Sequence, residues 1–180
     1  MDHQPNILIV DDSAIVRKAL TRQLEQFGAR VTQAEDGQQG VEAALSGHFD
    51  LIISDVEMPH LDGFGLCEKL KDNPGTRGIP VIMLSSLDAD KDIDRGFKAG
   101  AAAYVSKSQA QTQLIETIES VLEKFKFHHN RLVLVVDDSS TVRHLVTQAL
   151  QEAGFKVITA ENGKQALKRI DKQRPDLIIS

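Results

Sequence analysis

The stretch "ILIVDDSAIVRKAL", Ile7 to Leu20, sets the reading of the whole chain. Four apolar residues run straight into two carboxylates and a serine, and a helical period follows. Ile15, Ala19, Leu20, Leu24 and Phe27 fall on one predicted helix face, and Gly28 is a suitable C-terminal stop. A short continuous apolar run that feeds a helix is the opening of a parallel-sheet unit. The stretch then recurs as "LVLVVDDSSTVRHLV", Leu132 to Val146. Asp11 falls on Asp137, and the same offset carries Gly28 onto Gly154, Gly37 onto Gly163 and Asp50–Ser54 onto Asp176–Ser180. Without a gap, 20 of 48 aligned positions are identical, over a period too long for a solenoid repeat and right for a duplicated domain.

Within the first copy, runs rich in Val, Ile and Leu alternate with longer segments of helical period. Strands are expected at Ile7 to Val10, Arg30 to Ala34, Leu51 to Ser54, Val81 to Ser85 and Ala103 to Ser106. Helices are expected to begin near Ser13, Gly37, Gly63, Asp88 and Ser108, the last running to about Phe125, with "KFHHN" as the linker. The pattern is α/β, a doubly wound five-stranded parallel sheet over residues 1–126, followed by a partial second copy over 131–180.

With 41% hydrophobic and 26% charged residues, the 180-residue chain has the balance of a globular protein. A net charge of −5 and the absence of a basic run argue against direct nucleic-acid binding. No run approaches the ~18 apolar residues of a membrane helix, and a cytoplasmic location is expected. The lone Cys67 excludes an internal disulfide and reads as buried apolar filler.

In an open parallel sheet, ligands collect beyond the carboxyl ends of the strands, where the strand order reverses. Standing there are Asp11 and Asp12 after the first strand, Asp55 after the third, Ser85 and Ser86 after the fourth, and Lys107 after the fifth. Three converging carboxylates repel one another unless a cation intervenes, and hard oxygen ligands suit Mg²⁺. A lysine and a hydroxyl are what the equatorial oxygens of a transferring phosphoryl group require. Such a set can move a phosphoryl group onto a carboxylate.

The segments "VDDS", "SDVEMPHLDG", "PVIMLSS" and "GAAAYVSK", in this order and spacing, resemble the receiver domain of two-component response regulators. The resemblance covers residues 6–125 and the first three strands of 131–180. It implies a flavodoxin-like sheet of order 2-1-3-4-5, with Asp55 as phosphoacceptor. It also implies Mg²⁺ held by Asp12, Asp55 and the backbone carbonyl of Glu57, with Asp11 acting through water. Lys107 and Ser85 would contact the phosphoryl oxygens, and Tyr104 would follow Ser85 as a switch ring. The implied phosphoryl donor is a sensor histidine kinase or a phosphotransfer protein. The domain would catalyse its own phosphorylation, a switch more than an enzyme, and a diguanylate cyclase is one output found with such tandem receivers.

Other readings of the same residues exist. Asp11, Asp12 or Ser13 could simply cap the first helix, and Lys107 could be a solvated surface lysine. An acidic pair after a strand also resembles a nucleotide-binding motif, but no GxxxxGK[ST] loop is present, and "GFG" at 63–65 lacks the rest of a dinucleotide fingerprint. His128 and His129 do not have the i, i+4 spacing of metal ligands. A receiver fold that docks or forms a homodimer without phosphorylation is the alternative of a different class.

Two departures from the family pattern stand out. The residue after Lys107 is Ser108 where the family usually has a proline, which leaves the geometry of this loop open. The second copy keeps Asp137 and Asp138 but stops at Ser180, before the position equivalent to Asp55. The expectation is a fragment of a longer protein, with an output downstream of Ser180. The short second copy is expected to be partly disordered, packed on the first, or paired through its open edge.

Overall fold

The computed structural model describes residues 4–86, 90–129 and 131–180. The chain divides into two compact units, residues 1–122 and 123–180.

The first unit is a five-stranded parallel sheet in the order β2-β1-β3-β4-β5. Its strands are β1 (Asn6–Val10), β2 (Arg30–Ala34), β3 (Leu51–Asp55), β4 (Val81–Ser85) and β5 (Ala103–Ser106). Between and after them lie α1 (Ala14–Gln26), α2 (Gly37–Ser46), α3 (Gly63–Asp72), α4 (Asp90–Lys98) and α5 (Ala110–His129). The sheet is covered on both faces, as a parallel sheet requires. Leu8, Val10, Ile52, Val81 and Met83 meet Ala44 of α2 and Phe64, Leu66 and Leu70 of α3. Ile7, Ile9, Ile53, Ile82 and Leu84 alternate with them along the strands and are equally buried. Leu84 shares a groove with Leu20 of α1 and Ala110 of α5.

Polar caps start the helices where the sequence changes period. Ser13, Asp36 and Asp62 each accept a backbone N–H from the first turn of α1, α2 and α3. At the far end of α1, Gly28 takes a φ of +93°, the left-handed conformation that lets the chain turn back into β2. Gly154 repeats it at +91°.

Two expectations are corrected. The buried face of α1 carries Arg17, Leu20 and Leu24, whereas Ile15 is 83% exposed and Ala19 is exposed. The helix is rotated because Arg17 is drawn inward by hydrogen bonds to the backbone of residues 11 and 12. Secondly, α5 begins at Ala110 and continues to His129, so residues 126–129 of the expected linker, with His128 and His129, are its last turn. No glycine or proline interrupts that stretch. The expected helix start near Asp88 lies outside the described residues, and α4 is described from Asp90.

The second unit repeats the opening of the first. Its strands β6 (Leu132–Val136), β7 (Lys156–Ala160) and β8 (Leu177–Ile179) form a parallel sheet of order β7-β6-β8, with α6 (Ser140–Glu152) and α7 (Gly163–Ile170) between them. Its core is small: Leu134, Ala160 and Ala166 pack together with Val136, Ile158 and Ile170 partly buried around them, and Val133 and Val135 are buried on the alternate positions of β6. Leu177, Ile178 and Ile179 of β8 remain exposed. Among the described residues no helix is long and apolar enough to cross a membrane.

Candidate functional site

The order of the strands places β1 beside β3, and the chain reverses direction of winding between them. The carboxyl end of β1 therefore delivers Asp11 and Asp12 next to Asp55 at the end of β3. One carboxylate oxygen from each lies within 4.8 Å of the others. Asp11 and Asp55 are almost fully buried and Asp12 is exposed, so the cluster opens to solvent on the Asp12 side.

Asp11 and Asp55 are each held by the loop that follows them. Asp11 Oδ1 accepts the Ser13 N–H at 2.8 Å, while Ser13 itself caps α1, so the capping and clustering roles are divided between the two residues. Asp55 Oδ1 accepts the Glu57 N–H at 3.2 Å. The loop after β3 folds back through the Gly63 N–H, which donates to the Val56 carbonyl. A side chain at Gly63 would put its Cβ 2.2 Å from the Asp55 carbonyl oxygen, so only glycine lets α3 start this close to the acid.

Lys107 follows β5 and reaches across β4 to the acids. Its Nζ donates to Asp55 Oδ2 at 2.6 Å and lies 3.3 Å from Asp11 Oδ2. Burial pushes the Asp55 carboxyl above the usual range, against the opposing pull of the Lys107 ammonium. Burial works in the other direction on Lys107, but the hydrogen bond and charge of Asp55, with Asp11 behind it, outweigh it and raise the ammonium's pKa. The Lys107 N–H also donates to the Ser85 carbonyl at 2.8 Å, tying this loop to the end of β4. There is no cis peptide among the described residues, so the bond from Lys107 to Ser108 is trans. Ser108 instead shares a 2.9 Å hydroxyl contact with Ser106.

Ser85 is buried at the end of β4. Tyr104 stands on β5 beside Met83 and is partly buried against the core of α2 and α3. The second copy holds Asp137 and Asp138 at the end of β6, where Asp137 Oδ1 accepts the Ser139 N–H at 2.8 Å, as Asp11 does from Ser13.

The donor set fits a divalent cation. Asp11 Oδ2 is buried with the Lys107 ammonium 3.3 Å away and no closer hydrogen-bond donor among the described residues, so this carboxylate oxygen keeps capacity for a further ligand. Asp12 and Asp55 supply the further hard oxygens that such an ion takes.

Sequence reasoning missed two residues of this site. Arg17 is buried against the backbone of Asp11 and Asp12, and it pairs with Glu35 at the end of β2. The signal was present: Arg17 and Glu35 are identical to Arg143 and Glu161 in the second copy.

Comparison with known proteins agrees with this architecture. The chain matches the response regulator receiver domain family over residues 7–119 and again over 133–180. It belongs to that family. It is 38% identical over 116 residues to protein PilH of Pseudomonas aeruginosa, covering 64% of this chain and 96% of that protein. It is 40% identical over 109 residues to a gliding motility regulatory protein of Myxococcus xanthus, covering 61% of this chain but 14% of that protein. With the transcriptional regulatory protein CseB of Streptomyces avermitilis it shares 37% identity over 69% of this chain and 52% of that protein. The chain thus spans about half or less of these last two curated relatives. Among solved structures, the receiver domain of a histidine kinase from Syntrophus aciditrophicus is similar at TM-score 0.62 and 35% identity, over 66% of this chain and 90% of that one. The response regulator TrrA of Thermotoga maritima, in complex with Mg(2+)-BeF, is similar at TM-score 0.60 and 27% identity, over 66% and 99%.

Proposed function

We propose that the first unit is a phosphorylation-dependent switch of a two-component phosphorelay, with Asp55 as the phosphoacceptor. The observation that carries the reading is the set of contacts around Asp55: two further carboxylates within 4.8 Å and the Lys107 ammonium at 2.6 Å. An isolated surface acid has neither. The donor is the phosphohistidine of a sensor kinase or phosphotransfer protein in the cytoplasm.

In this reading Asp55 Oδ attacks phosphorus, the P–N bond to the donor imidazole breaks, and the imidazole leaves with the electron pair. Lys107 exchanges its contact with the carboxylate for one with a phosphoryl oxygen, and it neutralises charge at that oxygen throughout transfer. The Ser85 hydroxyl, at the end of the adjacent strand, donates to a second oxygen. Mg²⁺, held by Asp12, Asp55 and the Glu57 carbonyl with Asp11 through water, would offset the repulsion between the acids and the incoming phosphoryl group. Tyr104, packed between β5 and α4, carries the change to the face of α4, β5 and α5.

The test is intact-protein mass spectrometry after incubation with acetyl phosphate and Mg²⁺. A single added phosphoryl group is expected, absent from Asp55→Asn and from a sample with excess chelator. A folded wild-type chain that gains nothing would leave a docking module with a receiver fold. Addition to Asp55→Asn would move the acceptor elsewhere.

A further inference from the structure

Burying an arginine on the inner face of a helix is costly unless its hydrogen bonds are satisfied. Arg17 is 8% exposed, and its guanidinium makes a specific set of bonds. Nη1 donates to the carbonyl of Asp11 at 2.8 Å and to the carbonyl of Asp12 at 3.1 Å, and Nη2 donates to Glu35 Oε1 at 3.1 Å. Nε is buried without a partner, so the side chain accepts an unmet donor in order to keep the other contacts.

The same device is built a second time. Arg143 Nη1 donates to the carbonyls of Asp137 and Asp138 at 2.7 and 3.1 Å, and Nη2 reaches Glu161 Oε1 at 3.5 Å. Between Ala14–Leu20 and Ser140–Val146 only the valine and the arginine are identical. The rest of the helix start has changed around the clamp.

What the clamp grips explains its use. The Asp11 N–H makes the last bond of the β1–β2 edge, at 3.3 Å to Ala34, and beyond it the chain leaves the sheet. The carbonyls of residues 11 and 12 therefore fall where strand pairing no longer holds them. Fixing both peptide planes fixes the two Cα–Cβ bonds from which the carboxylates of the cluster hang. A lysine cannot replace this, since an ammonium lacks the planar fork that engages two carbonyls and a carboxylate together.

We propose that Arg17 is a positioning residue for the acid cluster: through the backbone of Asp11 and Asp12, and oriented by Glu35, it sets the affinity of the cluster for a divalent cation. The proposal rests on the receiver reading. Supporting groups behind metal-binding side chains typically change metal affinity by about 10–100-fold when removed.

The experiment is calorimetric titration of Mg²⁺ into the full chain, with the thermal midpoint measured separately without cation. Arg17→Lys is expected to raise the Mg²⁺ dissociation constant by about tenfold or more. Glu35→Gln, which keeps the arginine, is expected to raise it by less. Arg143→Lys makes the equivalent change beside acids that stand outside the three-acid cluster, and is expected to leave Mg²⁺ affinity unchanged. If Arg17→Lys lowers the thermal midpoint but binds Mg²⁺ like wild type, the arginine is only structural and the proposal is overturned. Equal weakening by Arg143→Lys would overturn it too, as a non-specific effect. If the wild-type chain itself binds no Mg²⁺, the receiver reading fails and the proposal falls with it.

Discussion

Asp55 carries two opposing forces. Burial disfavours its charge, and the Lys107 ammonium favours it; burial prevails and the carboxyl is raised above 3.8. A folded state that holds the proton more tightly than the unfolded chain gains stability below the unfolded pKa and loses it as pH rises through the folded one. Ionised Asp55 is therefore a destabilising feature at neutral pH when no cation is bound. Asp55→Asn removes that charge while keeping the shape. In chelator, its urea midpoint is expected to exceed that of the wild type at neutral pH, and the difference should shrink as the pH is lowered toward 3.8. A difference that is independent of pH would mean that ionisation of Asp55 does not strain the fold. Cys67 has no such role: it is fully buried, its thiol pushed up to about 11, and it behaves as the apolar filler expected.

At the scale of elements, the apolar runs and their alternation with helical period were sufficient for β1, β3 and β4, because strands buried on both faces leave little else to read, whereas the more exposed β2 and β5 were placed by their position between helical segments. The acids at the ends of β1 and β3 were legible for the same reason, since a carboxylate directly after a buried strand has only one place to go. Helix faces were less legible. Periodicity assigned Ile15 and Ala19 inward and overlooked Arg17, because hydropathy cannot anticipate an arginine satisfied by carbonyls of the preceding loop. The end of α5 was misread because a polar stretch without glycine or proline allows both linker and helix. One junction is testable directly. With the Asp55 carbonyl 2.2 Å from the Cβ that a substitution would add, Gly63→Ala forces the start of α3 away from β3. We expect a loss of about 1–3 kcal/mol, occasionally more, in urea unfolding. A neutral result would mean that the loop after β3 relaxes freely.

For the whole molecule, the two units differ in what they bury. The first holds five strands between two helix layers; the second buries few hydrophobic side chains, Val133, Leu134, Val135, Ala160 and Ala166 among the described residues, and leaves β8 exposed. Hydrogen exchange followed by mass spectrometry is expected to show faster exchange over 131–180 than over β1, β3 and β4. Mg²⁺ at about 100 times its dissociation constant should add about 2.7 kcal/mol of protection to the first unit and none to the second. Uniform protection across both would contradict the unequal cores. The chain also carries its own optical probe. It contains one tyrosine and no tryptophan, and that tyrosine is Tyr104, whose ring Cδ2 lies 3.4 Å from where a side chain at Gly96 of α4 would begin. Tyrosine fluorescence from all 180 residues thus originates in a single ring at the seam of α4 and β5, and its intensity and anisotropy report on that seam without any label.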